Sequence, residues 1–219
     1  MKQVGLLLVA AAAVAACDSS NPALPTPTTQ TASARAINAS KLAVDVNVDG
    51  QLVVHGLAAT SVSDQFFVTP GTHTVQFLSP NGPSATTSVT ADTSKHAAVY
   101  AFSPSATTLA AGDIADTDAV VPANKSKLRV TNLTASLGTN EIWRTQPDFQ
   151  SPVHVATPFP FGLTSPYLQS DPGVWEVFVT PPGGGVKLAT TGPISIPAGE
   201  RRSVVLMDTA GVLRFKVFE

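Results

Sequence analysis

The sequence predicts an all-β protein: two tandem, small, immunoglobulin-like β-sandwich modules behind an N-terminal signal helix and a disordered tether. Three observations carry that expectation. Apolar residues after the N-terminus alternate with a period of two, the signature of half-buried strands, and no stretch after Ala16 sustains a period near 3.6. Eighteen prolines and fifteen glycines punctuate those runs, as short strands joined by tight turns require. The chain also repeats itself, so one unit of fold is used twice.

The first element is the N-terminus. Lys2 supplies a positive charge, and Val4 to Ala16 is an uncharged apolar run. That length suits the core of a signal peptide and is short for a membrane span of about 20 residues. Cys17, the single cysteine of the 219 residues, closes the run. Val14, Ala15 and Ala16 before it resemble a lipobox, the small-residue site that signal peptidase II reads. Residues 1–16 are therefore expected to be removed, leaving a lipid-bearing Cys17 as the membrane anchor. Each buried methylene contributes about 0.8 kcal/mol, so two or more acyl chains hold firmly where one binds marginally. One cysteine leaves no internal disulfide to staple the body.

Residues 17–33 follow as a tether. Asp18 to Ser33 is rich in Pro, Thr and Ser and shows no apolar periodicity. Extended at about 3.1 Å per residue, such a segment reaches roughly 50 Å from a lipid surface.

The first module is expected over 34–112. Val44, Val46 and Val48 share one face of a strand, with Asp45, Asn47 and Asp49 on the other. Asp49-Gly50 turns that strand into Leu52 to Val54, a hairpin signature. After the Pro70-Gly71 turn, His73, Val75 and Phe77 point inward and Thr72, Thr74 and Gln76 outward. Asp113 to Ser126 is polar and reads as a linker, and the second module follows over 127–219.

The repeat ties the two modules together. Asp64 to Gly82 aligns with Pro166 to Gly184, setting Pro70-Gly71 against Pro172-Gly173 and Val75 against Val177. Upstream, Arg35 to Asn38 matches Arg129 to Asn132; downstream, His96 to Phe102 matches Arg201 to Met207. In the second copy Trp175, Val177 and Val179 form the inward set, so His73 fills the slot of Trp175. Asn140 to Arg144 replaces the Asp45 to Gly50 pattern, and a longer loop, Thr145 to Pro152, is expected after it.

These phrases (the strand Leu42 to Val53, the Pro70 turn with its strand, Ala156 to Gly184, and Ile196 to Asp208) resemble a bacterial envelope family catalogued as domain of unknown function 4397. The resemblance covers roughly Ala34 to Phe218. It implies modules that occur singly or in tandem on secreted proteins and lipoproteins, and it implies no activity.

Charged residues make up 13% of the chain and the net charge is -2, which offers no basic field for nucleic acid. The spacing of Asp45, Asn47, Asp49 and Gly50 copies half of an EF-hand loop. Gly56 stands where the bidentate Glu belongs, and the alternating valines favour a strand. His55, His73, His96 and His154 show no metal-ligand spacing. No nucleophile elbow, P-loop or dinucleotide fingerprint occurs. Asn38-Ala-Ser40 and Asn132-Leu-Thr134 are glycosylation sequons in form only. Two phenylalanines between prolines, Phe159 and Phe161, with Trp143 and Tyr167 nearby, form a candidate binding patch, against the alternative that they cap the open end of the second sandwich.

The sequence thus points to a membrane-anchored envelope lipoprotein without catalytic residues. It is expected to need no metal and no cofactor beyond the covalent lipid on Cys17. The expected partners are the membrane and an envelope protein, with an envelope glycan or polymer as the alternative to the protein.

Overall fold

The computed structural model describes residues 30–219 except 106, 116–119, 135–136, 138–139, 147–149, 157 and 210. Within them the chain is all-β, as expected, and builds two sandwiches. In the first, β1 (Ala32–Ala39), β4 (Ser61–Val62), β5 (Phe66–Val68), β8 (His96–Ser105) and β9 (Thr108–Ile114) form one sheet. The facing sheet runs in the order β3 (Gln51–Leu57), β2 (Val44–Val48), β6 (Gly71–Leu78), β7 (Ser84–Ala91). The second sandwich repeats the plan. Its first sheet is β13 (Leu168–Ser170), β10 (Ser126–Leu133), β17 (Arg201–Thr209), β18 (Val212–Phe218). Its second is β12 (Gln150–Ala156), β11 (Glu141–Gln146), β14 (Gly173–Thr180), β15 (Ala189–Thr190), with β16 (Ile194–Ile196) also on β14.

The alternation read from the sequence sets each core. Val44, Val46, Val75 and Phe77 are 0 to 1% exposed and pack with Ala34, Ala36, Val99 and Ala101 of the opposite sheet. In the second sandwich Ile142, Val177 and Val179 meet Leu128, Val130, Val204 and Leu206. Burying each such side chain contributes about 1.5 to 3 kcal/mol.

The repeat extends to hydrogen bonds. Ser63 Oγ accepts from the Ala36 amide at 2.9 Å while the Ser63 amide donates to the Ala36 carbonyl at 2.8 Å. Ser165 makes the same two bonds to Val130, at 3.0 and 2.8 Å. Each serine thus extends the first strand's ladder where no strand residue is in register.

The first strand of each module pairs in parallel with the next-to-last: β1 with β8 and β10 with β17. Both β1 and β10 are buried almost throughout, as parallel pairs covered on both faces are. One face is the module's own core. The other is a seam between modules, where Ile37, Ala39, Ala98 and Ile114 meet Leu133, Val205 and Met207. The two sandwiches therefore share a third apolar core.

The strands also move three expected boundaries. β1 begins at Ala32, two residues into the expected tether, because Ala32 to Ala34 pairs with β5. β9 runs to Ile114, beyond 112, because Ile114 is buried in the seam. The expected loop Thr145 to Pro152 is largely hairpin, since Thr145 and Gln146 belong to β11 and residues 150–152 to β12.

Candidate functional site

The aromatic residues singled out in the second copy do not form one patch. Phe159 is fully buried in the second core beside Leu128, Ile142 and Val179. The Asn132 side-chain amide fixes the Phe159 carbonyl at 2.7 Å. Phe161 lies at one end of the seam with its ring centroid 4.5 Å from that of Phe102. Tyr167 sits under Arg129, whose guanidinium carbon is 4.7 Å from the ring centroid, and near Arg201 at 5.8 Å. Trp143 alone stands on an outer sheet face. Phe159 therefore belongs to the core of the sandwich and is not offered to a partner. Cys17 and its preceding Val14, Ala15 and Ala16 lie outside the described residues.

Trp143 marks a different site. In the first module the outward pair on neighbouring strands is Asn47 and Gln76, small polar groups suited to water. The same ladder position in the second module holds Trp143 and Phe178. Their rings are nearly parallel, 7° apart in plane and 6.3 Å between centroids. The His154 ring, brought opposite by β12, approaches Trp143 to 3.5 Å between centroids. Trp143 Nε1 donates to Thr180 Oγ1 at 3.0 Å, and the Thr180 hydroxyl donates to the Pro181 carbonyl, so the indole is held in one orientation.

A groove of about 200 Å³ opens here, lined by Trp143, Pro152, Phe178, Thr180, Gly184 and Gly185. Its glycine wall turns with φ of +82°, +84° and +106° at Gly183 to Gly185, left-handed values that side chains resist. Glu141 secures that wall: its Oε1 accepts the Gly183 amide at 3.1 Å while Oε2 lies 3.4 Å from His154 Nε2. Beside the groove, Lys187 Nζ sits 4.9 Å from the Phe178 ring centroid and 2.6 Å from Glu176 Oε1. Burial alone would raise the Glu176 carboxyl, but bonds from Lys187 and Thr190 outweigh it and hold it below the usual value. Val186 and Leu188, which follow the glycine turn in the chain, are 79% and 49% exposed. The arrangement can stack a flat or apolar surface against a fixed ring.

Trp143 was legible from the sequence as a candidate. Phe178 and His154 were not, although the repeat carried the signal: the alignment sets Phe178 against Gln76, an aromatic ring against a solvent-facing amide.

The remaining histidines are engaged within the fold. His55 Nδ1 lies 2.9 Å from Asp45 Oδ1, and His96 Nδ1 lies 2.6 Å from Ser33 Oγ. His73 points inward as expected, between Asp49 and the Thr69 carbonyl. The EF-hand-like row is a strand with its valines buried. Among the described residues no group of three or more His, Cys, Asp or Glu is placed to hold a metal ion. No helix among them is long and apolar enough to cross a membrane.

No curated protein matches the sequence. Among solved structures, the C-terminal domain of AlgF from P. aeruginosa is similar at 18% identity and a TM-score of 0.33, over 43% of this chain and 96% of that one. A proposed cell adhesion protein from Bacteroides uniformis aligns at 9% identity and a TM-score of 0.31, over 88% of this chain and 98% of that one. A second, from Bacteroides fragilis, aligns at 11% identity and a TM-score of 0.26, over 82% and 85%. Likeness at this level carries neither partner nor activity across. The sequence also matches one domain family, and the match spans the whole first sandwich, the connection and β10: residues 32–139 match DUF4397, a domain of unknown function.

Proposed function

We propose that this chain is a bacterial cell-envelope lipoprotein, held to a membrane by lipid on Cys17, whose two-sandwich body binds an envelope partner and catalyses no reaction of its own. The observation that supports partner binding best is a partly exposed Trp143 in the place of Asn47, beside a Phe178 that stands in the place of Gln76 and is 2% exposed. An aromatic ring held rigid beside an open groove provides contact area at little entropic cost. The body's polar side chains hold turns and strands, as Asp49, Glu141 and Glu176 do.

The test is crosslinking in intact cells followed by mass spectrometry. The wild type is expected to capture a reproducible partner, Trp143→Ala to lose most of that capture, and Asn47→Ala to retain it. Equal capture by all three would remove this face as the binding site. The anchor is tested separately: metabolic palmitate labelling should mark the wild type and not Cys17→Ser, and label on both would refute acylation there.

A second reading, an envelope glycan or polymer as the ligand, is favoured by the same ring, because an indole face accepts the apolar face of a sugar. Retention on cell-wall polysaccharide that falls with Trp143→Ala would support it. No retention on any envelope polymer would sink it.

A further inference from the structure

We propose that His73 and Asp49 form a protonation-dependent clamp, in which an imidazolium joins the β2–β3 turn to the turn before β6 and holds this end of the first sandwich closed. The geometry fixes the proton count. His73 Nε2 lies 2.7 Å from the Thr69 carbonyl oxygen, which can only accept, so Nε2 carries a proton. His73 Nδ1 lies 2.7 Å from Asp49 Oδ2, and an ionised carboxylate also only accepts, so Nδ1 carries the other. A neutral ring would set a lone pair against one of these oxygens. The ring itself is 8% exposed, so water cannot take over the lost bond at small cost.

The second module is the internal control. Trp175 takes the place of His73, and its single Nε1–H donates to the Asp171 carbonyl, four residues back, at 3.1 Å, just as His73 reaches Thr69. Thr145 takes the place of Asp49 in the ladder. One copy thus makes this contact with a fixed donor and the other with a titratable one. Asp49 is built to be the second partner: it turns with φ of +49°, its amide donates to the Thr74 carbonyl and its Oδ1 accepts the Thr74 amide at 2.9 Å.

Among the described residues Asp49 is the charged side chain that acts on the ring. β7 sets Val89 opposite His73, and the turn before β6 brings the Thr69 carbonyl. The bond to Asp49 holds His73 above the ordinary histidine value of 6.5 against the opposing effect of burial. The bond to His73 holds Asp49 below 3.8. The histidine contribution is therefore full below 6.5 and is lost as pH rises through its raised value in the folded protein. The aspartate contribution is present above 3.8 and is lost as pH falls through its lowered value. The clamp is strongest between the two.

Long-range ¹⁵N–¹H spectra of the full chain, with ring nitrogens labelled, test this directly. His73 is expected to carry two protons at about pH 6.5 and to titrate above the ordinary value. Asp49→Asn keeps an oxygen for the Thr74 amide and should lower that midpoint. The urea midpoint of the first module should fall between about pH 5.5 and 8.5 in the wild type. That fall should be smaller in Asp49→Asn and absent in His73→Trp, which copies the second module. A single ring proton at pH 6.5, a midpoint at or below 6.5, or the same pH response in the wild type and Asp49→Asn would each overturn the clamp. The NMR arm remains decisive if His73→Trp fails to fold.

Discussion

Asn38 and Asn132 are the same residue used twice. Each is fully buried at the same place in its module, and each turns its Oδ1 to the amide two residues on, Ser40 at 3.0 Å and Thr134 at 2.9 Å. Their amide nitrogens then hold distant chain: Asn38 Nδ2 donates to the Leu42, Leu57 and Ala58 carbonyls, and Asn132 Nδ2 to that of Phe159. The sequon spacing is therefore a folding device, an asparagine whose side chain closes a turn and pins a loop. Asn38→Ala leaves the buried Leu57 carbonyl without this donor and the Ser40 amide without its acceptor, and should cost about 2 to 3 kcal/mol. Asn38→Asp should cost more, since it points an acceptor at the same carbonyls. Urea unfolding of the two variants checks the order, and a milder effect of Asp than of Ala would contradict it.

The seam makes a separate prediction. Met207 and Val205 are fully buried, among Ile37, Ala98 and Leu133. Because this contact is a core, a protease site introduced between the modules, once cut, should leave the halves together. Size-exclusion chromatography of the cut protein should give one particle, parting only in denaturant. Met207→Asp places an unpaired charge in that core at a cost of several kcal/mol and should separate the cut halves in plain buffer. Halves that part without the substitution would show that the seam does not hold them.

The contrast between strands explains what the sequence could reveal. β2 and β6 alternate because one face meets the core and the other meets water, so Val44 to Val48 and His73 to Phe77 were readable. β1 and β10 do not alternate, because both faces are covered. Ala39 and Ala98 give no sign that a second module lies against them. Phe159 and Phe161 looked alike between their prolines, yet one fills a core and the other lies on the seam. The hydrogen bond that holds the Phe159 backbone comes from Asn132, distant in sequence.

Gly112 should resist substitution although its backbone is ordinary. It lies opposite Tyr100 on the neighbouring strand, and a Cβ there would fall 2.6 Å from the phenol carbon and oxygen of that ring. The ring packs against the seam, and burial raises its hydroxyl above the usual value of 10.0. Gly112→Ala must displace it, at about 1 to 3 kcal/mol. In a double-mutant cycle Tyr100→Ala should remove most of that cost. Equal costs in the presence and absence of the ring would place the strain elsewhere.

Glu176 gives the second module an acid dependence that the first does not share at this position, where Thr74 stands. Its carboxylate is buried, which favours the neutral form, yet the bonds from Lys187 and Thr190 and the charge of Lys187 hold it below 4.5. A lowered value means stability that is present above 4.5 and lost as pH falls through the value in the folded protein. Lys187→Met removes the charged partner and keeps the side chain that lies over Phe178. At neutral pH it should cost about 1.5 to 3 kcal/mol, the range for a hydrogen bond to a charged group. Glu176 should then titrate at a higher pH, because burial remains and the ammonium does not. The difference between variant and wild type should therefore shrink on acidification, as Glu176 becomes protonated in both. Urea midpoints at about pH 7 and pH 4, with carboxyl ¹³C shifts for Glu176, follow both quantities. A cost independent of pH would mean that Lys187 acts by packing on Phe178 and that its charge contributes nothing there.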